Sequence, residues 1–364
     1  MLWNANGITK HKNELELILN SKNIDICLVS ETHFTKQSHL QIPRYTVYHT
    51  IHPMNCARGG SAVIVRSNIK HHQGTDISMN EFQVTSIVVE INGSQINIAA
   101  LYSPPRHVIK SDQYKHLFMQ LGDRFILGGD FNAKHTRWGS RLITPKGKEL
   151  LKASNELNCS FMSTNKPTYW PTDPLKIPDL IDFFVIRKVS PNFMKIDEGL
   201  DMSSDHSPIY LALSSRITQK DPPVSLYNRH TDWEYFRHLL TAATNATPTT
   251  ADEIEDFSLH LTQSIQNAAW KSTPTNVKTA AKSFPREIKT MIVEKRKLRR
   301  RWQRSRDPQI KTLLNNATKQ LSTAIKQVEN DSLNKYLSRL SNEKSSNYSK
   351  WAPTTKRTHT NKFQ

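Results

Sequence analysis

With 364 residues and 37% hydrophobic content, the chain can bury a full core and leave material over. No apolar run approaches a membrane span, and three scattered cysteines (Cys27, Cys56, Cys159) form no zinc spacing, so a reducing compartment and no membrane partner are expected. The net charge of +18 is uneven: residues 1–214 hold 23 Lys and Arg against 19 Asp and Glu, residues 215–280 hold 6 against 7, and residues 281–364 hold 21 against 6.

That distribution fits a nearly neutral globular part followed by an extension facing a polyanion. Met1 leads almost directly into Asn4 without a basic start or an apolar stretch, so no secretory leader is expected. The first helical pattern is "HKNELELILNSK", and "IDICLVS" after it reads as a strand. "SAVIVR", "QVTSIVVEI" and "QINIAALY" follow as strands, the last two joined by the hairpin signal Asn92-Gly93. "RFILGG" reads as an interior strand stopped by Gly128 and Gly129. On an extended chain Asp130 and Asn132 then share a side, with Phe131 turned into the core. A helical pattern, "PKGKELLKASNEL", precedes the strands "DLIDFFVI" and "PIYLAL". Many strands with interleaved helices predict a layered α/β or α+β domain whose helices cover sheets.

After Ser214 the character changes. "QKDPPVS" marks a boundary, and helical stripes follow. One stripe is Ile254, Phe257, Leu261, Ile265 and Ala268; the next, opened by Pro285, is Ile288, Met291, Ile292, Leu298 and Trp302. Such narrow stripes need a partner.

Polar residues that fit no strand pattern collect at strand ends. Glu31 ends "IDICLVSE", Tyr102 ends "INIAALY", Asp130 and Asn132 end the glycine strand, and Asp182 interrupts "DLIDFFVI". Asp205 and His206 stand just before "PIYLAL", and Asn4 and Asn6 flank Ala5 near the start. Each alone fits an ordinary turn former, solvated edge residue or cap. So many at strand edges weaken that explanation, because loops on a rigid scaffold carry function.

The ordered set "WNANGI", "SETHF", "LYSPP", "GGDFNAKHTRWGS", "PDLIDFFV" and "SSDHSPI" resembles the endonuclease/exonuclease/phosphatase superfamily over residues 3–213. With "PTYWP" it is most similar to the endonucleases of jockey-like non-LTR retrotransposons. The resemblance implies a DNase I-like four-layer α/β sandwich over 1–214, then an α-helical basic extension over 215–364 leading toward a reverse transcriptase. It implies that Glu31 holds a divalent metal, with Asn4 and Asp205 as further ligands. Asp130 and Asn132 would orient water and hold phosphate, His206 paired with Asp182 would contact the scissile phosphate, and Tyr102 fills a remaining polar position. Asn6, Thr168, Ser204, Arg299, Arg300 and Arg301 are the expected nucleic-acid contacts.

The implied activity is metal-dependent nicking of double-stranded DNA for retrotransposition, which would place the protein in the nucleus. Oxygen ligands favour Mg²⁺, with Mn²⁺ as a substitute. Gly128 and Gly129 are then expected to let a DNA strand approach. Two other readings compete: a phosphatase of the same superfamily, and a non-catalytic nucleic-acid-binding remnant of an element. The short lead before Trp3 and the lack of a "YADD"-like pair are expected marks of a truncated copy, and the short first strand a weakness near Asn4. Eight Lys and Arg in "KRKLRRRWQRSR" predict non-specific binding to DNA or element RNA, adding affinity and not chemistry. A chain cut at Ser214 is expected to bind DNA more weakly and still nick.

Overall fold

Runs such as Ser61–Arg66 are apolar on both faces, which suits strands covered twice, by a second sheet and by a helix layer. A computed structural model of the chain describes residues 1–91, 93–199, 202–214, 226–227, 231–241, 250–273 and 285–342. Its early strands are β1 (Leu2–Asn4), β2 (Ile26–Ser30), β3 (Tyr45–Thr50), β4 (Ser61–Arg66), β5 (His71–Gln73) and β6 (Ile77–Ser78). The later ones are β7 (Gln83–Ile91), β8 (Ser94–Tyr102), β9 (Phe125–Asp130), β10 (Cys159–Met162), β11 (Asp182–Arg187), β12 (Met194–Glu198) and β13 (Ile209–Leu213). One sheet runs β12-β13-β1-β2-β4-β3 and the other β10-β11-β9-β8-β7-β5, with β6 paired to β7.

Between the sheets lie Leu28, Val63, Val65, Ile87, Ile126 and Phe184. Helix α1 (Lys12–Ser21) covers the first sheet through Leu15, Ile18 and Leu19, which pack with Trp3 and Cys27. Helices α2 (Ser111–Gln120) and α3 (Pro145–Glu156) cover the second through Tyr114, Phe118, Leu150 and Ala153. The order helix, sheet, sheet, helix is the four-layer sandwich the motifs imply. Local chemistry sets the ends: the Thr144 hydroxyl accepts from the Gly147 amide, and Pro145 opens α3. The β7–β8 pair is the expected hairpin, with Ile91 opposite Ser94; Asn92 itself lies outside the described residues.

Three expectations change. Despite its three residues β1 is central, bonded to β2 on one side and β13 on the other, with Leu2 and Trp3 fully buried. The two glycines serve packing and not DNA. A Cβ on Gly128 would sit 2.7 Å from the Phe184 ring and 2.9 Å from Leu28, and one on Gly129 would sit 2.1 Å from the Leu101 carbonyl oxygen. Asp182 does not interrupt a strand; it begins β11.

The helical region also divides differently from the expected single extension. Helices α4 (Trp233–Thr241) and α5 (Ala251–Ser272) belong to a separate unit, residues 219–283. In α5, Ala268 is buried while Ile254 and Ile265 stay exposed, so the expected stripe is only partly covered. Helices α6 (Arg286–Ser305) and α7 (Pro308–Asn342) group instead with residues 1–218. Ile288 and Ile292 pack on Leu321 and Ile325, with Leu17 of α1 against them. Arg306 at φ 55° ends α6, and the Asp307 carboxylate accepts from the Gln309 amide (2.8 Å) to start α7. Among the described residues no helix is long and apolar enough to cross a membrane.

Candidate active site at the strand ends

Strand register assembles the site. Across the second sheet Tyr102 on β8 and Asp182 on β11 both lie opposite Asp130 on β9. In the first sheet Asn4 lies opposite Ser30. The Ser30 hydroxyl joins the sheets, donating to the Leu101 carbonyl (2.7 Å) and accepting from the Asp130 amide (3.1 Å). Phe131 turns into the core as expected and stacks on Phe183 at 4.4 Å between centroids. Asn132 does not continue the strand; its φ is 45°, and its amide donates to Asp130 Oδ1 (2.9 Å). Asn6, Glu31 and His33 are left-handed as well, at φ 45°, 51° and 57°. Left-handed non-glycine residues cost energy and cluster where a site fixes them.

Two buried hydrogen-bonded pairs lie side by side at the centre. Asn4 Nδ2 donates to Asp130 Oδ2 (2.9 Å), and His206 Nδ1 donates to Asp182 Oδ2 (2.7 Å). His206 Nε2 stands 3.9 Å from Asp130 Oδ2, too far for a direct hydrogen bond. Burial alone would drive His206 toward the neutral form. The Asp182 carboxylate, with Asp130 and Asp205, overturns that and raises its pKa to about 10, so the ring is an imidazolium at neutral pH. Burial and the nearby Asp182 charge push Asp130 up to about 8, against the opposing pull of His206. Glu31 differs. Burial raises it, but His33, the His206 charge, Tyr102 and Asn4 outweigh that and hold it below the usual range. Burial and the charges of Glu31 and Asp130 raise Tyr102, keeping its phenol neutral.

Several predicted nucleic-acid contacts are committed inward. Thr168 is buried, its hydroxyl accepting from the amides of Ile181 (3.2 Å) and Asp182 (3.1 Å). Ser204 is buried too; its hydroxyl donates to the Asn4 carbonyl (2.7 Å) and accepts from the His206 amide (2.9 Å). Arg299 is 5% exposed and donates to the carbonyls of Met202 and Ser204. These three build the site. Arg300 and Arg301 are exposed, and half-buried Asn6 donates to Asp205 Oδ1 (3.2 Å).

Metal-binding capacity is also uneven. Asp130, Asp182 and His206 lie close enough together to be read as a metal cluster. His206 Nδ1, however, is bonded to Asp182, and with the ring charged Nε2 carries a proton too, so the imidazolium has no lone pair for a metal. Glu31 suits a cation better: its side chain is 20% exposed and its carboxyl stays ionised, while the Asn4 carboxamide meets it through an N–H and keeps Oδ1 on the Asn6 amide (3.0 Å). An open, ionised carboxylate of this kind fits a hard divalent cation.

Sequence reasoning missed four residues. Ser30 and His33 both sit inside the quoted "SETHF", and His33 Nε2 is 3.4 Å from Glu31 Oε2. Lys146 of α3 is buried and donates to the carbonyls of Pro104 (2.8 Å) and Ser103 (3.3 Å); burial lowers its pKa to about 8. The Ser103 carbonyl also accepts from Asn132 Nδ2 (3.2 Å). Lys295 is the fourth: expected only as one of the eight cations facing nucleic acid, it is 1% exposed in an ion pair with Glu14. Its signal was available in the spacing 288, 292, 295, 299, 302, one helical stripe that includes Lys295 and Arg299.

Two sheets with helices on both outer faces and this polar strand-end cluster define an apurinic-endonuclease-like nuclease domain. Residues 96–210 match the family model described as "Endonuclease-reverse transcriptase". The chain carries an apurinic-endonuclease-like domain similar to that of jockey-like non-LTR elements. It is 31% identical over 356 residues to "RNA-directed DNA polymerase from mobile element jockey" of Drosophila funebris, covering 96% of this chain and 39% of that protein. It is also 31% identical over 358 residues to "Probable RNA-directed DNA polymerase from transposon BS" of Drosophila melanogaster, covering 96% and 40%. The chain thus spans about two-fifths of the length of these relatives. The fold matches the "Endonuclease domain of TRAS1, a telomere-specific non-LTR retrotransposon", at TM-score 0.50 and 20% identity over 58% of this chain and 96% of that one. It also matches "AP endonuclease LMAP from Leishmania major", at TM-score 0.50 and 12% identity over 58% and 86%.

Proposed function

We propose that the chain is a divalent-metal-dependent DNA endonuclease that nicks one strand of duplex DNA during element insertion. The observation that carries the reading is the pairing of a proton acceptor with a fixed cation. Asp130 is held by Asn4 and the Asn132 amide, and the His206 imidazolium is fixed by Asp182. A phosphodiester is anionic, so an attacking hydroxide needs neutralising charge near the non-bridging oxygens. His206 Nε2 supplies a charged donor, and Asp130 accepts the proton of the attacking water. Asn132, with its amide anchored on Asp130, orients that water. Glu31 would hold Mg²⁺ or Mn²⁺, which supplies Lewis-acid stabilisation of the phosphate.

Asn6, Arg300 and Arg301 remain contacts for DNA, or for element RNA in the case of the two arginines; a chromosomal substrate implies nuclear access. The buried cluster of Asp130, Asp182 and His206 favours an enzyme over a binding remnant, because burying charges is costly and such clusters gather at functional sites. The test is nicking of supercoiled plasmid in Mg²⁺ and in EDTA. Asp130→Ala and His206→Ala should each cost about a hundredfold or more, and Glu31→Gln should raise the Mg²⁺ requirement. Activity that survives EDTA, or either alanine variant within a few-fold of the parent, would overturn the assignment.

A further inference from the structure

Helix α6 lies outside the sandwich, yet its two most buried charged side chains grip the loop that carries His206. Arg299 Nη1 donates to the Met202 carbonyl (2.6 Å) and to the Ser204 carbonyl. Lys295 Nζ pairs with Glu14 of α1 and donates to Ser203 Oγ (2.8 Å). Ser203 closes the triangle, with Oγ (2.6 Å) and amide (3.2 Å) both donating to Glu14 Oε2. Three consecutive residues are therefore tied to α6 and α1, ending one residue before Asp205 and His206. The Ser204 hydroxyl passes the constraint on, bonding both the Asn4 carbonyl and the His206 amide.

We propose that α6 is part of the catalytic apparatus, with Lys295 and Arg299 as positioning residues that hold the 202–206 loop and thereby set His206 against Asp182 and Asp130. The proposal rests on the nuclease reading above. Two alternatives fit the geometry less well. A solvated basic face would leave these groups in water, but they are 1% and 5% exposed. A phosphate-binding role needs donors directed outward, and these bond the protein's own carbonyls and carboxylate. A brace of the general fold could attach anywhere on the sandwich; this one attaches to the catalytic loop. Misplacing a catalytic group by about 1 Å can cost around a hundredfold in rate, so a loop held from one side is sensitive to loss of its clamp.

The experiment compares the full chain with Arg299→Ala, Arg299→Lys, the paired Lys295→Met/Glu14→Gln, and Glu294→Gln as an exposed control on the same helix. The readouts are the single-turnover nicking rate at saturating DNA and Mg²⁺, DNA affinity with its salt slope, and the melting temperature. Arg299→Ala should slow nicking tenfold or more, with affinity within about twofold and the salt slope unchanged. Added guanidinium should restore part of the rate, which a merely structural loss would not allow. If Arg299→Ala does not fold, Arg299→Lys is read in its place: it keeps the charge but not the guanidinium nitrogen that meets both carbonyls, and should be slowed at unchanged affinity. A rate within twofold of the parent, or a loss confined to affinity, overturns the proposal. If the parent chain does not nick at all, the nuclease reading fails, and amide hydrogen exchange at Ser204 and His206 decides the clamp separately. Exchange should quicken in Arg299→Ala and not in Glu294→Gln; equal exchange in both refutes it.

Discussion

Asp130 and His206 place opposite demands on one buried pocket, and the pH dependence of nicking should show both. Burial and Asp182 raise Asp130 to about 8, so the proton-accepting carboxylate accumulates as pH climbs through that value. The carboxylates around His206 raise it to about 10, so the imidazolium is lost only as pH climbs through that higher value. Turnover should rise through about 8 and fall through about 10. Asp182→Asn removes an anion that raises both groups, so both limbs should move to lower pH. Limbs that stay in place in the variant would show that other groups titrate. The glycines are tested at the same scale. Overpacking costs about 1–3 kcal/mol, and the Leu101 carbonyl facing Gly129 is backbone that cannot swing away as the Phe184 ring beside Gly128 can. Gly129→Ala should therefore lower the melting temperature more than Gly128→Ala, and neither should weaken DNA binding by the folded fraction. Normal melting with weakened binding would restore the close-approach reading.

At the scale of elements, strands rich in Val and Ile were legible because their period and length are local properties. β4, β7, β8 and β9 stand where the patterns predicted them, as do α1 and α3. The short edge pieces β5 and β6, and polar α2 with "SDQYKHLFMQ", were not legible, since tertiary contacts decide them. The strand-end polar residues were found as a set, but the sheet-joining bonds of Ser30 cannot be read from a serine in sequence. Ser30→Ala would leave the buried Asp130 amide and Leu101 carbonyl without that partner, a loss of about 1–3 kcal/mol. It should lower both melting temperature and nicking rate; an unchanged rate would separate the sheet junction from catalysis. Over residues 295–306, the eight cations read as one basic face conceal two classes. Arg300→Ala and Arg301→Ala should each reduce the salt slope of DNA binding by about one unit if that arginine contacts a phosphate, while Arg299→Ala should not. A slope that changes equally in all three would place Arg299 on the nucleic acid.

For the whole molecule, domain limits follow packing and not chain order. Among the described residues, the hydrophobic clusters between the sheets and under both helix layers come from 1–214, so this part holds the core it needs to fold. Helices α6 and α7 join it although residues 219–283 intervene and form their own unit. Two deletions then have opposite consequences. Replacing residues 219–283 with a flexible Gly/Ser linker keeps Lys295, Arg299 and their packing on α1, and nicking should stay within a few-fold of the full chain. Cutting after Ser214 removes the clamp, bares Leu17 and leaves Glu14 without its lysine. That shorter chain should keep a sandwich-like circular dichroism spectrum, bind DNA more weakly for lack of Arg300 and Arg301, and nick at least tenfold more slowly even at saturating DNA. The sequence alone assigned the extension to affinity; buried Lys295 and Arg299 give it a share in the chemistry. A chain ending at Ser214 that nicks at the full rate once saturated would return the extension to a purely binding role, and loss of nicking in the linker variant alone would place a needed residue within 219–283.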